Sequence, residues 1–310
     1  MEEKIEIMNL LQSKQVLEHE LQSLAYGSVE IRENESNKYI YVHYREDGVV
    51  LTKYVGEYSD ELYNLVLNNS IKAKQLKKQI REITKKLKQL NYTEEELSEK
   101  VEQNIDFAKR HLVDTIYKQA ILEGVATTFA DTESIIEGGK VNNMTSEDIL
   151  KIVNLKHAWE FILNKNVILS DTNFALLCQI NKMVEEGFYY TAGKVRNTPV
   201  TIGGTTWKPD LPIESVIKEE LEEIFSKELD DIDRAIELLL YTMKKQIFID
   251  GNKRTAVIYS NHYLISKGKG IIAIPAELTE EFKDLLIPYY EGKVEKQIKK
   301  FVKEKCYMSI

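Results

Sequence analysis

From Phe107 to Gly187 the chain carries apolar residues at helical spacing with few breakers, which excludes a β-rich fold for this stretch. Five prolines occur in the 310 residues, and three of them fall within Gly193–Pro212, GKVRNTPVTIGGTTWKPDLP. Proline removes a backbone donor and clashes with the preceding helical turn, so this segment interrupts the helices. Val200, Ile202 and the Gly203-Gly204 turn read as a short hairpin flap between them. Five further helical segments can be drawn from Ser215 to Val302, with Pro275 and Pro288 at boundaries. The expected class is mainly α: an all-helical domain with a β-hairpin flap, preceded by a small β-meander and a helical hairpin.

The first hundred residues read differently. Ile5, Met8, Leu11, Leu17, Leu21 and Leu24 keep mostly helical spacing and predict an amphipathic helix. From Tyr39 to Val55 the residues turn β-branched or aromatic, split by Glu46-Asp47-Gly48, a hairpin signal. A meander beginning near Val29 follows from this. It carries five tyrosines from Tyr39 to Tyr58, which serve either a local mini-core or a docking surface. Ser59-Asp60 then caps a helix on which Leu76, Ile80, Ile83, Leu87 and Leu90 form a heptad seam. Lys72, Lys74, Lys77, Lys78, Arg81, Lys85, Lys86 and Lys88 make this helix basic. Thr93 and Glu96 form a capping box for a following acidic helix, so the two read as an antiparallel pair with complementary charge. The seam can close within the chain or across a homodimer. The expected divisions are 1–58 for the first helix and meander, 59–116 for a coiled-coil-like arm, and 117–310 for the helical domain.

A net charge of −8 argues against nucleic acid as a partner. A hydrophobic content of 43% is that of a globular chain, which excludes wholesale disorder. Cys178 and Cys306 are too few for a metal cluster or a disulfide framework and fit a reducing compartment. The acidic start lacks the apolar core of a signal peptide, and no run reaches membrane-spanning length. A soluble cytoplasmic protein is expected.

The stretch with the most chemistry is Lys245–Ala256, KQIFIDGNKRTA. An apolar helix ending near Phe248 meets a loop at Asp250-Gly251-Asn252, and a second helix starts near Lys253. Glycine lets backbone N–H groups approach a ligand, and a helix N-terminus favours anions. Asn252 adds a side-chain donor, and Lys253 and Arg254 add positive charge. Asp250 is a hard oxygen ligand of the kind that holds Mg²⁺ beside a phosphate. The structural alternative is a tight turn in which Asp250 caps the next helix.

Phe248, Asp250, Gly251, Asn252, Lys253 and Arg254 stand in register with the motif of the Fic/Doc (Fido) family, which this region resembles. Three other stretches agree in order. Glu133–Gly138 resembles the family's inhibitory helix within 131–138, with Ser134 and Glu137 as its inhibitory residues. Asn154–Ala158 resembles the helix that follows, and Gly193–Arg196 with Val200–Trp207 resembles the flap. The resemblance implies transfer of AMP from ATP to a protein hydroxyl. Asp250 would then hold Mg²⁺, Gly251, Asn252 and Lys253 would lie against the nucleotide phosphates, and Arg254 would neutralise their charge. A protein target would dock by strand addition along Val200, Thr201, Ile202, Gly203, Gly204 and Thr205.

Two positions depart from the pattern. The family's catalytic histidine falls on Gln246, and glutamine orients a hydroxyl without removing its proton. The motif's second arginine, the partner of the inhibitory glutamate, falls on Val257. The GNKRTA ending also resembles Doc, which transfers phosphate. Three readings follow: a slow or atypical adenylyltransferase, a nucleotide- or target-binding pseudoenzyme, and a Doc-like phosphotransferase or toxin.

Overall fold

The computed structural model describes residues 2–34, 37–46, 49–90, 92, 97–142 and 144–310. The Asp47-Gly48 turn and the Thr93/Glu96 capping box lie outside the described residues. The chain divides into two units, Met1–Thr93 and Glu94–Ile310.

In the first unit, α1 (Glu2–Ser23) precedes a meander of β1 (Ser28–Asn34), β2 (Asn37–Glu46) and β3 (Val49–Glu57). Both strand pairs are antiparallel, with Ile31 opposite Ile40 and Tyr41 opposite Tyr54. Strand alternation sends Ile40 and Val42 to one face, where they are buried with Val66 of α2 (Asp60–Gln89). Tyr39, Tyr41 and Tyr54 lie on the other face and pack ring against ring. The Ser59 hydroxyl caps α2 by accepting the Leu62 N–H at 3.1 Å. Leu76 and Leu87 of the heptad seam are buried, and Ile80, Ile83 and Leu90 are half-buried. The helix that packs on α2 within this unit is α1, whose Glu20 pairs with Lys72 at 2.5 Å. The two halves of the expected arm thus fall in different units.

The second unit is built around one helix. α11 (Asn252–Ser266) is buried on nearly every side, with Arg254 through Ile265 covered. It packs against α3 (Glu99–Arg110), α6 (Ser146–Ile162), α7 (Lys165–Ile168), α8 (Phe174–Val184) and α10 (Asp231–Lys245). A helix surrounded in this way must satisfy its polar side chains internally. Asn261 does so with Ile272, accepting from its N–H and donating to its carbonyl at 2.7 and 2.8 Å. His262 donates from Nε2 to the Val167 carbonyl at 2.9 Å, and its Nδ1 accepts from the Thr172 hydroxyl at 2.8 Å. Ile272 belongs to β4 (Ile271–Ile272), which pairs with β5 (Tyr307–Met308).

Around this centre lie α4 (Leu112–Leu122), α5 (Phe129–Ile136), α9 (Glu214–Ser226), α12 (Thr279–Tyr290) and α13 (Glu295–Phe301). Pro275 precedes α12, while Pro288 lies inside its last turn rather than at a boundary. In the last turn the proline costs the ladder only the bond that an N–H at 288 would donate to the Asp284 carbonyl. The flap, 193–213, is an irregular run with a turn at Gly203-Gly204 and no strand pairing its two arms. Pro199 and Pro209 interrupt both arms, and side chains hold the segment instead. Thr205 Oγ1 donates to Glu291 at 2.9 Å, and Trp207 stacks on Tyr290 of α12 at 5.7 Å. Among the described residues, no helix is long and apolar enough to cross a membrane.

Candidate phosphate-binding site

α10 stops because Gln246 adopts the left-handed conformation, φ 49° and ψ 57°. A non-glycine residue there costs about 1–2 kcal/mol, so neighbouring bonds must hold it. Gln246 Nε2 donates to the Met243 carbonyl at 2.7 Å, and its Oε1 accepts from Asn252 Nδ2 at 3.2 Å. Its own carbonyl accepts from Arg196 Nε at 2.6 Å. Arg196 is buried and spreads its remaining donors over the carbonyls of Thr198 and Asp210, at 2.8 and 2.7 Å. One guanidinium thereby ties the base of the flap to the loop after α10.

Asn252 closes that loop from the other end. Its Oδ1 accepts the Phe248 N–H at 2.9 Å, and its Nδ2 donates to the Phe248 carbonyl at 2.8 Å. The side chain is therefore committed inside the loop. Gly251, with φ 72°, is the N-cap of α11 and supplies no side-chain cap. The first helical bond runs from Thr255 N–H to Gly251 carbonyl, so the N–H groups of Asn252, Lys253 and Arg254 have no partner within the helix. Asp250 is exposed, with Oδ1 accepting the Gly251 N–H at 2.7 Å. Its Oδ2 lies 3.6 Å from Arg254 Nη2.

Arg254 is only 3% exposed, and its Nε and Nη1 make no hydrogen bond. Its neighbours are carboxylates: Glu185 Oε1 at 2.8 Å from Nη2, and Glu123 Oε2 at 3.4 Å from Nε. Glu123 also pairs with Lys253 at 3.5 Å. Burial pushes the Glu185 carboxyl up to about 7 against the pull of Arg254, with Asp250 and Glu123 adding to the rise. Tyr189 is raised as well, by burial and then by Asp250 and Glu185.

Residues 171–264 match the Fic/DOC family. No curated protein matches the chain. The fold is shared with solved Fic structures. Fic-1 (residues 134–508) from C. elegans has a TM-score of 0.52 at 16% identity, covering 78% of this chain and 79% of that one. A Fic domain containing signaling protein from Bacteroides thetaiotaomicron has a TM-score of 0.54 at 18% identity, covering 67% and 85%.

Within this Fic-like region the structure brings Gln246, Asp250, Gly251, Asn252, Lys253 and Arg254 to one loop and one helix start. Arg196 ties the base of the flap, at Thr198 and Asp210, to Gln246, while Thr205 at its tip reaches Glu291. Val257 faces the interior, packed with Gln119, Leu122, Ala273 and Ile274. Ser134 is half-buried on α5, and Glu137 is exposed as its C-cap. The carboxylates that pair with Arg254 are Glu123, Glu185 and Asp250, and Glu137 is not among them.

Sequence reasoning missed Glu123 and Glu185, and also two buried amides. Gln119 donates to the Arg254 carbonyl at 2.7 Å while accepting from Trp159 Nε1 at 3.0 Å. Asn181 donates to the Asp250 carbonyl at 3.0 Å and to Thr255 Oγ1 at 3.1 Å. The available signal was a polar residue inside an apolar helical stripe, as Asn181 is between Ile180 and Val184.

Proposed function

We propose that this protein binds Mg-ATP at the start of α11 and transfers AMP slowly to a hydroxyl of a protein docked on the flap. The observation that carries the reading is the N-terminus of α11, which no side chain caps and beside which a buried arginine has Nε and Nη1 without a hydrogen bond. Helix-start amides and a desolvated guanidinium are the donors that polyphosphate oxygens require.

Asp250 suits Mg²⁺: it is exposed, and one oxygen is free of main-chain bonds. Among the described residues no cluster of three ligating side chains could hold a metal by itself, so the remaining ligands would be phosphate oxygens and water. The ion would neutralise charge building on those oxygens. In the transfer, the target hydroxyl oxygen bonds to the α-phosphorus as pyrophosphate leaves. In the motif's register Gln246 would take the place of the family's base. Its Oε1 can orient that hydroxyl but cannot take its proton, which goes to solvent. Loss of a general base slows such chemistry by about 10²- to 10⁴-fold. The main chain of Val200–Gly204 enters no ladder, which suits docking of an extended target segment by strand addition. The unpaired Cys178 and Cys306 fit work in the cytoplasm.

A second reading, a nucleotide-binding module without chemistry, is favoured by Gln246 alone. Intact mass after incubation with Mg-ATP and candidate targets separates the two. An added AMP supports the transferase, and added phosphate points to Doc-like transfer. Binding without any adduct supports the module. Absence of nucleotide binding at millimolar concentration removes all three.

A further inference from the structure

Glu185 stands at the C-terminus of α8, a position where the helix dipole disfavours a carboxylate. Its backbone is pinned, because Asn154 Nδ2 donates to the Val184 and Glu186 carbonyls on either side at 3.2 and 2.8 Å. Its side chain is 2% exposed and lies against Gly251, so that a Cβ built on Gly251 would collide with Oε1. Neither carboxylate oxygen makes a hydrogen bond, and the close charged partner is Arg254 Nη2 at 2.8 Å. Such a group is desolvated without full compensation and is held in place by one guanidinium.

The surroundings sharpen the point. With Glu185 ionised, Lys253 and Arg254 contribute two positive charges and Glu123, Glu185 and Asp250 three negative ones, a formal sum of −1 that rises towards zero as the raised Glu185 carboxyl takes up a proton. A site meant for polyphosphate is therefore already neutralised from within. A phosphate oxygen approaching Arg254 meets a carboxylate already seated on the same guanidinium, at Nη2.

We propose that Glu185 is an internal competitor for the phosphate oxygens at Arg254, so that nucleotide binding requires its carboxylate to leave Gly251 and Arg254. This rests on reading the α11 N-terminus as a phosphate site. It makes affinity for nucleotide a property of α8 as well as of the loop. Whatever stabilises the Glu185–Arg254 pair weakens binding, and whatever draws Glu185 away strengthens it.

The test is calorimetric titration of the full chain with Mg-ATP. Glu185→Gln keeps the size and removes the charge, and it should lower Kd by about tenfold or more. Glu185→Asp retracts the carboxylate by one methylene and should lower Kd by a smaller factor. It carries the test if the glutamine variant does not fold. If wild type binds and either folded variant binds equally or more weakly, the proposal is overturned, and Glu185 instead positions Arg254 for phosphate. If neither wild type nor variants bind, the phosphate-site reading fails and takes this proposal with it.

Discussion

Asn252 and Phe248 form a closed pair in which one side-chain amide answers both backbone groups of one residue, at 2.9 and 2.8 Å. Asn252 is 5% and Phe248 1% exposed, so water cannot replace these bonds. Asn252→Ala should therefore cost about 2–4 kcal/mol, the desolvation penalty of two buried unsatisfied groups. It should also remove any rise in melting temperature caused by Mg-ATP. Thermal melts with and without nucleotide check both, and a variant that melts like wild type would contradict the bonding.

Arg196 joins three carbonyls, those of Gln246, Thr198 and Asp210. Lysine is a point charge that cannot reproduce the fork. Arg196→Lys should destabilise by about 2–3 kcal/mol, because at least one charge-assisted bond is lost. Hydrogen exchange should rise across 197–211 before it rises in α11. Uniform exchange would mean that the flap is held by its α12 contacts alone.

Gln246→His tests the missing base directly. Histidine is several-fold enriched at positive φ, so the backbone at 246 can accept it. The variant should fold and raise AMP transfer by about 10²- to 10⁴-fold if only the base is lacking. Mass spectrometry of the target reads this, and unchanged inactivity would place the defect elsewhere.

His262 gives stability a pH dependence. Burial lowers its pKa to about 4, so the unfolded chain binds a proton that the folded chain refuses. Its contribution is fully present above about pH 6.5 and declines as pH falls towards 4. The total loss is on the order of 3 kcal/mol. Urea midpoints between pH 7 and pH 4 should show this fall, and His262→Gln should flatten it.

Glu137→Gly separates two sources of inhibition. If Glu137 obstructs the nucleotide, its removal tightens Mg-ATP binding. Glu137 is exposed and does not pair with Arg254, so the gain should be smaller than that from Glu185→Gln. Paired titrations decide between them.

Local chemistry determined much of this molecule. Helical spacing set most of the helices, β-branched and aromatic runs set the meander, and Ser59 set the start of α2. The run from Asp250 to Arg254 stood out as a candidate anion site because glycine, helix start and basic residues are adjacent in the chain. What the tertiary structure decided concerns groups distant in sequence. Glu123 at the end of α4 and Glu185 at the end of α8 look like ordinary surface acids until packing sets them against Arg254, Glu185 buried and Glu123 half-buried. The flap, read as a hairpin, is held by Arg196 and by the packing of Trp207 instead of a ladder. Periodicity reports which face of an element is apolar. It carries no information about which buried charge will meet which, because that depends on helices packed across the core.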